Sequence, residues 1–411
     1  MNETVDHFKD FFYSAVRLNT EINYKTINEL ICSKAIGSYR ELAVMEQLKR
    51  IVDGSCELSD ETTTRINQLI DSYSKIETIA NEYKKIADSN GIFVVSCEDD
   101  NYPYNWKVQT GMPKVFYFSG NYSLLDQMVL KGSIAVVGSR NPSKYALYAT
   151  EKFCSELGNK GITTVSGMAR GIDRQAHLAS VKTAGGTIAI LAGGVDNIYP
   201  PDNKDLYNTI KQGGLILSEM PPGQQPLRQY FPSRNRLIAG LTDCTLIMEA
   251  GSCSGTLHTA SFAANQGKEI FVLPNNIYYE NAKGGLKLLE DGCNVLVSTD
   301  SVVDSISQAL MYKRMTMGNK EDIYFDDKTE TDTEDVGIDM LRTLAKEKPE
   351  ELDDDKWKLL IKDMLTLNPL SADDINSAIQ MPFYKLSKLL TDMELNGTVC
   401  QEKGKYSLTF V

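Results

Sequence analysis

Continuous aliphatic runs alternate with stretches of helical period through the middle of the chain. Ile134–Val137, Thr163–Ser166, Thr187–Leu191, Leu215–Ser218, Thr245–Met248, Ile270–Leu273 and Val295–Val297 are apolar without polar alternation. Tyr145–Leu157, Asp173–Thr183, Lys204–Lys211, Gly255–Gln266 and Gly284–Glu290 place apolar residues three and four apart. A strand buried on both faces loses its alternation, and strands that each feed a helix build a parallel sheet. The pattern predicts an α/β fold over residues 89–310: a doubly wound, mostly parallel Rossmann-like sheet. Its ligands belong at the carboxyl ends of the strands. Short apolar runs between turn residues from Gly91 to Asn121 predict an antiparallel edge or extension.

The flanks read differently. Residues 1–88 have helical spacing in Thr26–Ala35, Tyr39–Val52 and Glu61–Ala87, which predicts a helical N-terminal domain. Residues 311–352 are rich in Asp, Glu, Thr and Lys, and read as an acidic linker. Residues 353–411 give helices at Lys356–Leu365, from Ser371, and at Pro382–Leu395. Strands come next at Thr398–Cys400 and Tyr406–Phe410, joined through Lys403-Gly404, which is a winged-helix pattern. Lys385 and Lys388 on its third helix are offset by Asp392 and Glu394, so a protein contact is favoured there over duplex reading.

The chain has 411 residues and a net charge of −12. The charge is uneven: residues 131–310 carry 16 basic and 15 acidic side chains, and residues 311–355 carry 7 and 15. The acidity sits in the linker and leaves an anion-binding face possible. Eight cysteines without a Cys-x-x-Cys pair fit a reduced cytoplasmic protein. His7, His177 and His258 are too few and too separated for a metal site. No signal peptide is expected, and no apolar run reaches the roughly 18–20 residues that span a bilayer.

Candidate chemistry gathers at the strand ends. Gly138, Ser139 and Arg140 close the first run. They lack the Gly-x-Gly-x-x-Gly pattern and the acid that accompanies it, so a nicotinamide cofactor is disfavoured and none is expected. Ser166 and Gly167 close the second, with Arg170, Gly171 and Asp173 after them. Asp173 is read as a structural cap of the next helix rather than a base, and His177 as a packed or hydrogen-bonded residue. Arg228, Tyr230 and Phe231 interleave a cation with rings, as single-strand binders do. Whether Phe231 stacks a base or fills a core stays open. Arg234, Asn235 and Arg236 lead into what reads as an apolar turn, and guanidinium forks suit phosphate. Ser254, Gly255 and Thr256 offer N–H groups and hydroxyls at a helix start, which attracts anions. Cys253 reads as inert.

Together these motifs resemble the DprA/Smf family, the DNA-processing proteins of natural transformation. The resemblance is carried by Tyr102-Pro103, Val137-Gly-Ser-Arg140, Ser166-Gly-Met-Ala-Arg-Gly-Ile-Asp173, Tyr199-Pro200, Ser218-Glu-Met-Pro-Pro-Gly223, Phe231-Pro-Ser-Arg-Asn-Arg236 and Ser254-Gly255. It implies a homodimer that binds single-stranded DNA without sequence preference and hands it to the RecA recombinase. By resemblance Arg140, Arg228 and Phe231 line the DNA pocket, Arg234 and Arg236 form the Arg-Asn-Arg signature, and Arg170 approaches the strand.

Two rival readings remain. The domain also looks like a cousin of nucleoside-monophosphate phosphoribohydrolases, but their catalytic glutamate would fall at Thr259, which cannot shuttle a proton as a carboxylate does. The other is a nucleotide-binding sensor using the same cleft.

Overall fold

The computed structural model describes residues 7–53, 58–252, 254–317 and 354–408, except 366–369, 373–374, 377–380, 382, 397 and 403–404. They form two compact units, Met1–Met311 and Tyr312–Val411.

The first unit opens with four helices, α1 (Phe8–Asn19), α2 (Tyr24–Cys32), α3 (Met45–Val52) and α4 (Asp60–Asn90). The segment expected as one helix over Tyr39–Val52 is broken: a 3-10 turn covers Tyr39–Ala43, and α3 restarts after the extended Val44. After α4 the chain forms β1 (Phe93–Ser96), α5 (Tyr104–Lys107), β2 (Val115–Gly120), α6 (Ser123–Lys131), β3 (Ser133–Gly138), α7 (Lys144–Asn159), β4 (Thr163–Ser166), α8 (Ile172–Ser180), β5 (Thr187–Leu191), α9 (Lys204–Gly213) and β6 (Leu215–Ser218). Then come α10 (Tyr230–Leu241), β7 (Cys244–Glu249), α11 (Thr256–Asn265), β8 (Glu269–Val272), α12 (Lys283–Glu290), β9 (Asn294–Val295) and α13 (Thr299–Met317).

The nine strands make one sheet in the order β1-β2-β6-β5-β4-β3-β7-β8-β9. β3 to β9 are parallel, and β2 joins β6 antiparallel with β1 outside it, which is the expected doubly wound sheet with an antiparallel edge. The chain winds outward from β3 in one direction, then restarts at β7 beside β3 and winds the other way. The crevice where such an order reverses is where α/β sheets bind ligands.

Both faces of the sheet are apolar, as unalternating runs require. Ala135, Val137, Ile188, Ile190, Leu215 and Leu217 face α10, α11 and Trp106. On the opposite face Ile134, Val136, Leu246 and Met248 pack with α7 and α8. On that second face Ala189, Leu191 and Ile216 pack into one cluster with Phe11, Phe12, Ile27 and Leu69 of the N-terminal helices. Those helices therefore share their core with the sheet.

α10 corrects the reading of the apolar segment after Arg236 as a turn: it is the second half of a helix that also contains both arginines. Pro232 stands in its first turn, where an N–H would lack an intrahelical partner anyway. α13 runs to Met317, into the expected linker, and residues 318–353 lie outside the described residues.

In the second unit, helices Asp354–Leu365 and Phe383–Leu395 bury Trp357, Leu360, Ile361, Leu386, Leu389, Leu390 and Met393 together. Strands Leu370–Ser371, Val399–Glu402 and Lys405–Leu408 form a three-stranded antiparallel sheet. Most of the helix expected from Ser371, and the Lys403-Gly404 turn, lie outside the described residues.

Candidate nucleic-acid interface

An open cavity of about 520 Å³ lies at the reversal point between β3 and β7. Its walls come from the loop after β3, the start of α8, the first half of α10, and the β7–α11 connection.

Glycines let these walls meet. A Cβ on Gly138 would fall 2.7 Å from the Ile172 side chain, so β3 and α8 approach only with hydrogen there. Gly171 has φ of +76°, and a Cβ on it would lie 2.4 Å from the Ser139 carbonyl oxygen. Only glycine adopts that conformation at no steric cost. Ser139 Oγ accepts from the Asn141 N–H, and buried Glu249 accepts from the Ser143 hydroxyl at 2.6 Å. The loop that presents Arg140 is thus pinned at both ends. Arg140 itself is exposed and has no carboxylate partner among the described residues.

Arg234 is 6% exposed. Its Nη1 donates to the carbonyls of Gly167 (2.5 Å) and Ile190 (2.6 Å), and its Nε to Asn235 Oδ1 (3.1 Å). Burial, more than the nearby Arg140, lowers its pKa to about 10, while Asp173 opposes the fall; it remains a cation at neutral pH. Asp173 accepts from the Gly167 and Ala169 N–H groups, so it ties down the preceding loop. It is structural through backbone N–H groups, as expected, but the donors belong to the loop and not to the next helix, since it lies inside the first turn of α8. Burial pushes its carboxyl above the usual range despite Arg234.

Phe231 stands at the cavity wall, half-buried, with the Arg140 guanidinium 5.7 Å and the Arg234 guanidinium 6.0 Å from its ring centroid. Tyr199 meets it edge-on at 5.6 Å. Cations this close to a ring are attracted to its face.

Not every expected residue joins the cavity. Arg236 pairs instead with Glu219 and donates to the Gly111 carbonyl. Glu219 also accepts from Arg17 (2.9 Å) and Tyr24 (3.0 Å) of the N-terminal helices. Arg236 therefore clamps α10 to those helices, a role with no signal in the residue pattern. Arg170 pairs with Asp202 at 2.6 Å on the surface, and Arg228 is exposed outside the cavity. Ser166 is buried and donates to the Val136 carbonyl. Gly167 lies beneath Arg234: a Cβ there would come within 2.1 Å of its Nη1.

Ser254, Gly255 and Thr256 do line the cavity, with Asn235 reaching the Gly255 carbonyl at 3.4 Å. The N–H groups of Ser254, Thr256, Leu257 and His258 already have internal acceptors, so this helix start offers hydroxyls more than free donors. Cys253 lies outside the described residues. His177 is buried and bonded to Thr187 Oγ1 at 2.7 Å, and burial drops its pKa to about 3, as its packed reading requires. Thr259 is buried at the cavity wall, with no glutamate in its place. Among the described residues there is no metal-binding cluster, and no helix is long and apolar enough to cross a membrane.

Residues 93–307 match the family described as DNA recombination-mediator protein A, over half of the chain. Protein Smf of Synechocystis is 34% identical, over 75% of this chain and 77% of its own. DNA processing protein DprA of Bacillus subtilis is 32% identical, over 59% and 79%. The crystal structure of DprA from Streptococcus pneumoniae superposes with a TM-score of 0.59 at 29% identity, covering 74% of this chain and 99% of that one.

Proposed function

The chain belongs to the DNA recombination-mediator protein A family, the DprA/Smf DNA-processing proteins, and on that footing we propose that its cavity binds single-stranded DNA without sequence preference. The observation that carries the reading is the ring of Phe231 with two guanidinium groups within 6.0 Å of its centroid, at the sheet's reversal point. Any base has a face to stack on a ring, and the adjoining cations neutralise the backbone. Arg140 is the phosphate contact at the mouth. Arg234 supplies positive potential from below while its donors hold the loop carbonyls. Arg228 and Arg170 sit outside the cavity, where the strand enters or leaves.

Catalysis is not part of the proposal. Asp173, the carboxylate at the cavity wall, is occupied by two backbone donors, and Thr259 stands where a phosphoribohydrolase needs its acid. Nor is a cofactor. From the family resemblance, the protein acts as a cytoplasmic homodimer and passes its strand to the RecA recombinase.

The test is fluorescence anisotropy on a labelled single strand and its duplex, with wild type, Arg140→Ala, Arg228→Ala and Phe231→Ala. Wild type prefers the single strand. Phe231→Ala loses about 1–3 kcal/mol of binding, the contribution of one stacked base. Wild-type affinity falls with salt, with a logarithmic slope of about −0.7 per phosphate neutralised, and Arg140→Ala reduces that slope. A flat salt dependence, or variants that bind as well as wild type, would overturn the proposal.

A further inference from the structure

The loop that presents Arg140 runs directly into α7, and the outer face of that helix is unusual. Lys144, Tyr145, Tyr148 and Lys152 are all exposed, and their spacing of three and four residues puts them on one side. Tyr148 is 62% exposed. Lys152 Nζ lies 5.7 Å from the Tyr148 ring centroid. Among the described residues neither Lys144 nor Lys152 has a carboxylate partner, and the neighbouring Glu151 receives Gln175 at 3.4 Å.

The stripe is joined to the cavity at its upper end. Tyr145 Oη donates to the Pro274 carbonyl at 3.2 Å, which ties the first turn of α7 to the loop after β8. That loop carries Asn281, on the cavity wall, and Tyr278, which is 86% exposed. Arg140 and Asn281, on the cavity wall, thus belong to the two segments that this bond joins.

We propose that the outer face of α7, together with the exposed Tyr278 of the loop that Tyr145 holds, is a second stacking surface for single-stranded nucleic acid, continuing the path out of the cavity. It rests on the single-strand reading of the cavity. Exposed Glu151 and Glu156 flank the stripe, but they bond Gln175 and Thr299, and among the described residues neither pairs with Lys144 or Lys152; an ordinary solvated helix face also carries few rings. Unpaired lysines interleaved with exposed tyrosines instead match a groove that neutralises phosphates and stacks bases. Continuity with the cavity, and cations lacking anions, favour a polynucleotide over a second protein.

The experiment compares oligonucleotides of about 4 and about 16 nucleotides, the span of sites in small single-strand-binding folds. Binding is measured with wild type, the double variant Tyr148→Ala/Lys152→Ala, Tyr278→Ala and Tyr148→Phe. These side chains are exposed, so thermal melts are expected to match wild type. For wild type the long strand binds more tightly than the short one. The alanine variants bind the short strand as wild type does, but lose roughly fivefold or more on the long strand per stacked ring removed. Tyr148→Phe keeps the ring and the affinity. If the short strand does not bind wild type at all, the cavity reading fails. If it binds, and the alanine variants keep full affinity for the long strand, only this inference fails. It fails equally if the variants change the mass of the protein in solution and leave long-strand affinity intact, since the face would then be a protein contact.

Discussion

Replacing Arg236 with alanine separates the two arginines of one short motif. The Arg236 guanidinium reaches Glu219, whose side chain is 5% exposed, and the Gly111 carbonyl. Removing one partner of a buried ion pair costs about 3–5 kcal/mol when the other charge is left uncompensated. Arg17 and Tyr24 still hold Glu219 in the variant, so a loss of about 2 kcal/mol is expected. The loss depends on pH in a definite sense. Burial alone raises the Glu219 carboxyl; Arg236 first, and then Arg17, overcome this and hold it below its ordinary value. A carboxyl lowered in the folded state adds stability above its unfolded pKa of about 4.3, and that stability is lost as pH falls through the folded value. The gap between wild type and Arg236→Ala is therefore widest near neutral pH and closes in acid. Urea unfolding tracked by Trp106 fluorescence in a Trp357→Phe background measures it, because Trp106 is buried against the Leu237 carbonyl of α10 and Trp357 belongs to the second unit. Strand affinity of the folded variant stays near the wild-type value. An equal destabilisation at both pH values would refute the ion-pair reasoning. So would unchanged stability with an affinity loss exceeding that of Arg140→Ala.

Gly167→Ala pushes a methyl into the Arg234 guanidinium, with 2.1 Å available. Overpacking of this kind costs about 1–3 kcal/mol, read as a lower urea midpoint, and strand affinity falls with it because Arg234 and Phe231 share one helix. Incubation with nucleoside monophosphates releases no free base by chromatography; release would restore the hydrolase reading.

Much of the candidate site was legible in the sequence because it lies at strand ends. A strand buried on both faces announces itself by composition, and the residues just past its last apolar position must sit at the sheet's edge. Gly138, Ser139 and Arg140 could be placed that way, as could Ser254 to Thr256. α10 could not. Its apolar stripe, Leu237, Ile238 and Leu241, is short and follows a proline and two arginines, and the Trp106 and Asn105 bonds to the Leu237 and Leu241 carbonyls show how the helix is held.

The chain's pattern of apolar runs was enough to determine a parallel sheet covered on both sides, with polar loops collected at the carboxyl ends of its strands. Which cations meet there was settled by tertiary structure alone. Residues two apart on a helix point about 200° from each other, since each advances the turn by about 100°. Arg234 therefore enters the cavity wall while Arg236 turns to Glu219 and the N-terminal helices, a division that two identical side chains flanking one asparagine cannot reveal until their backbone is known to be helical.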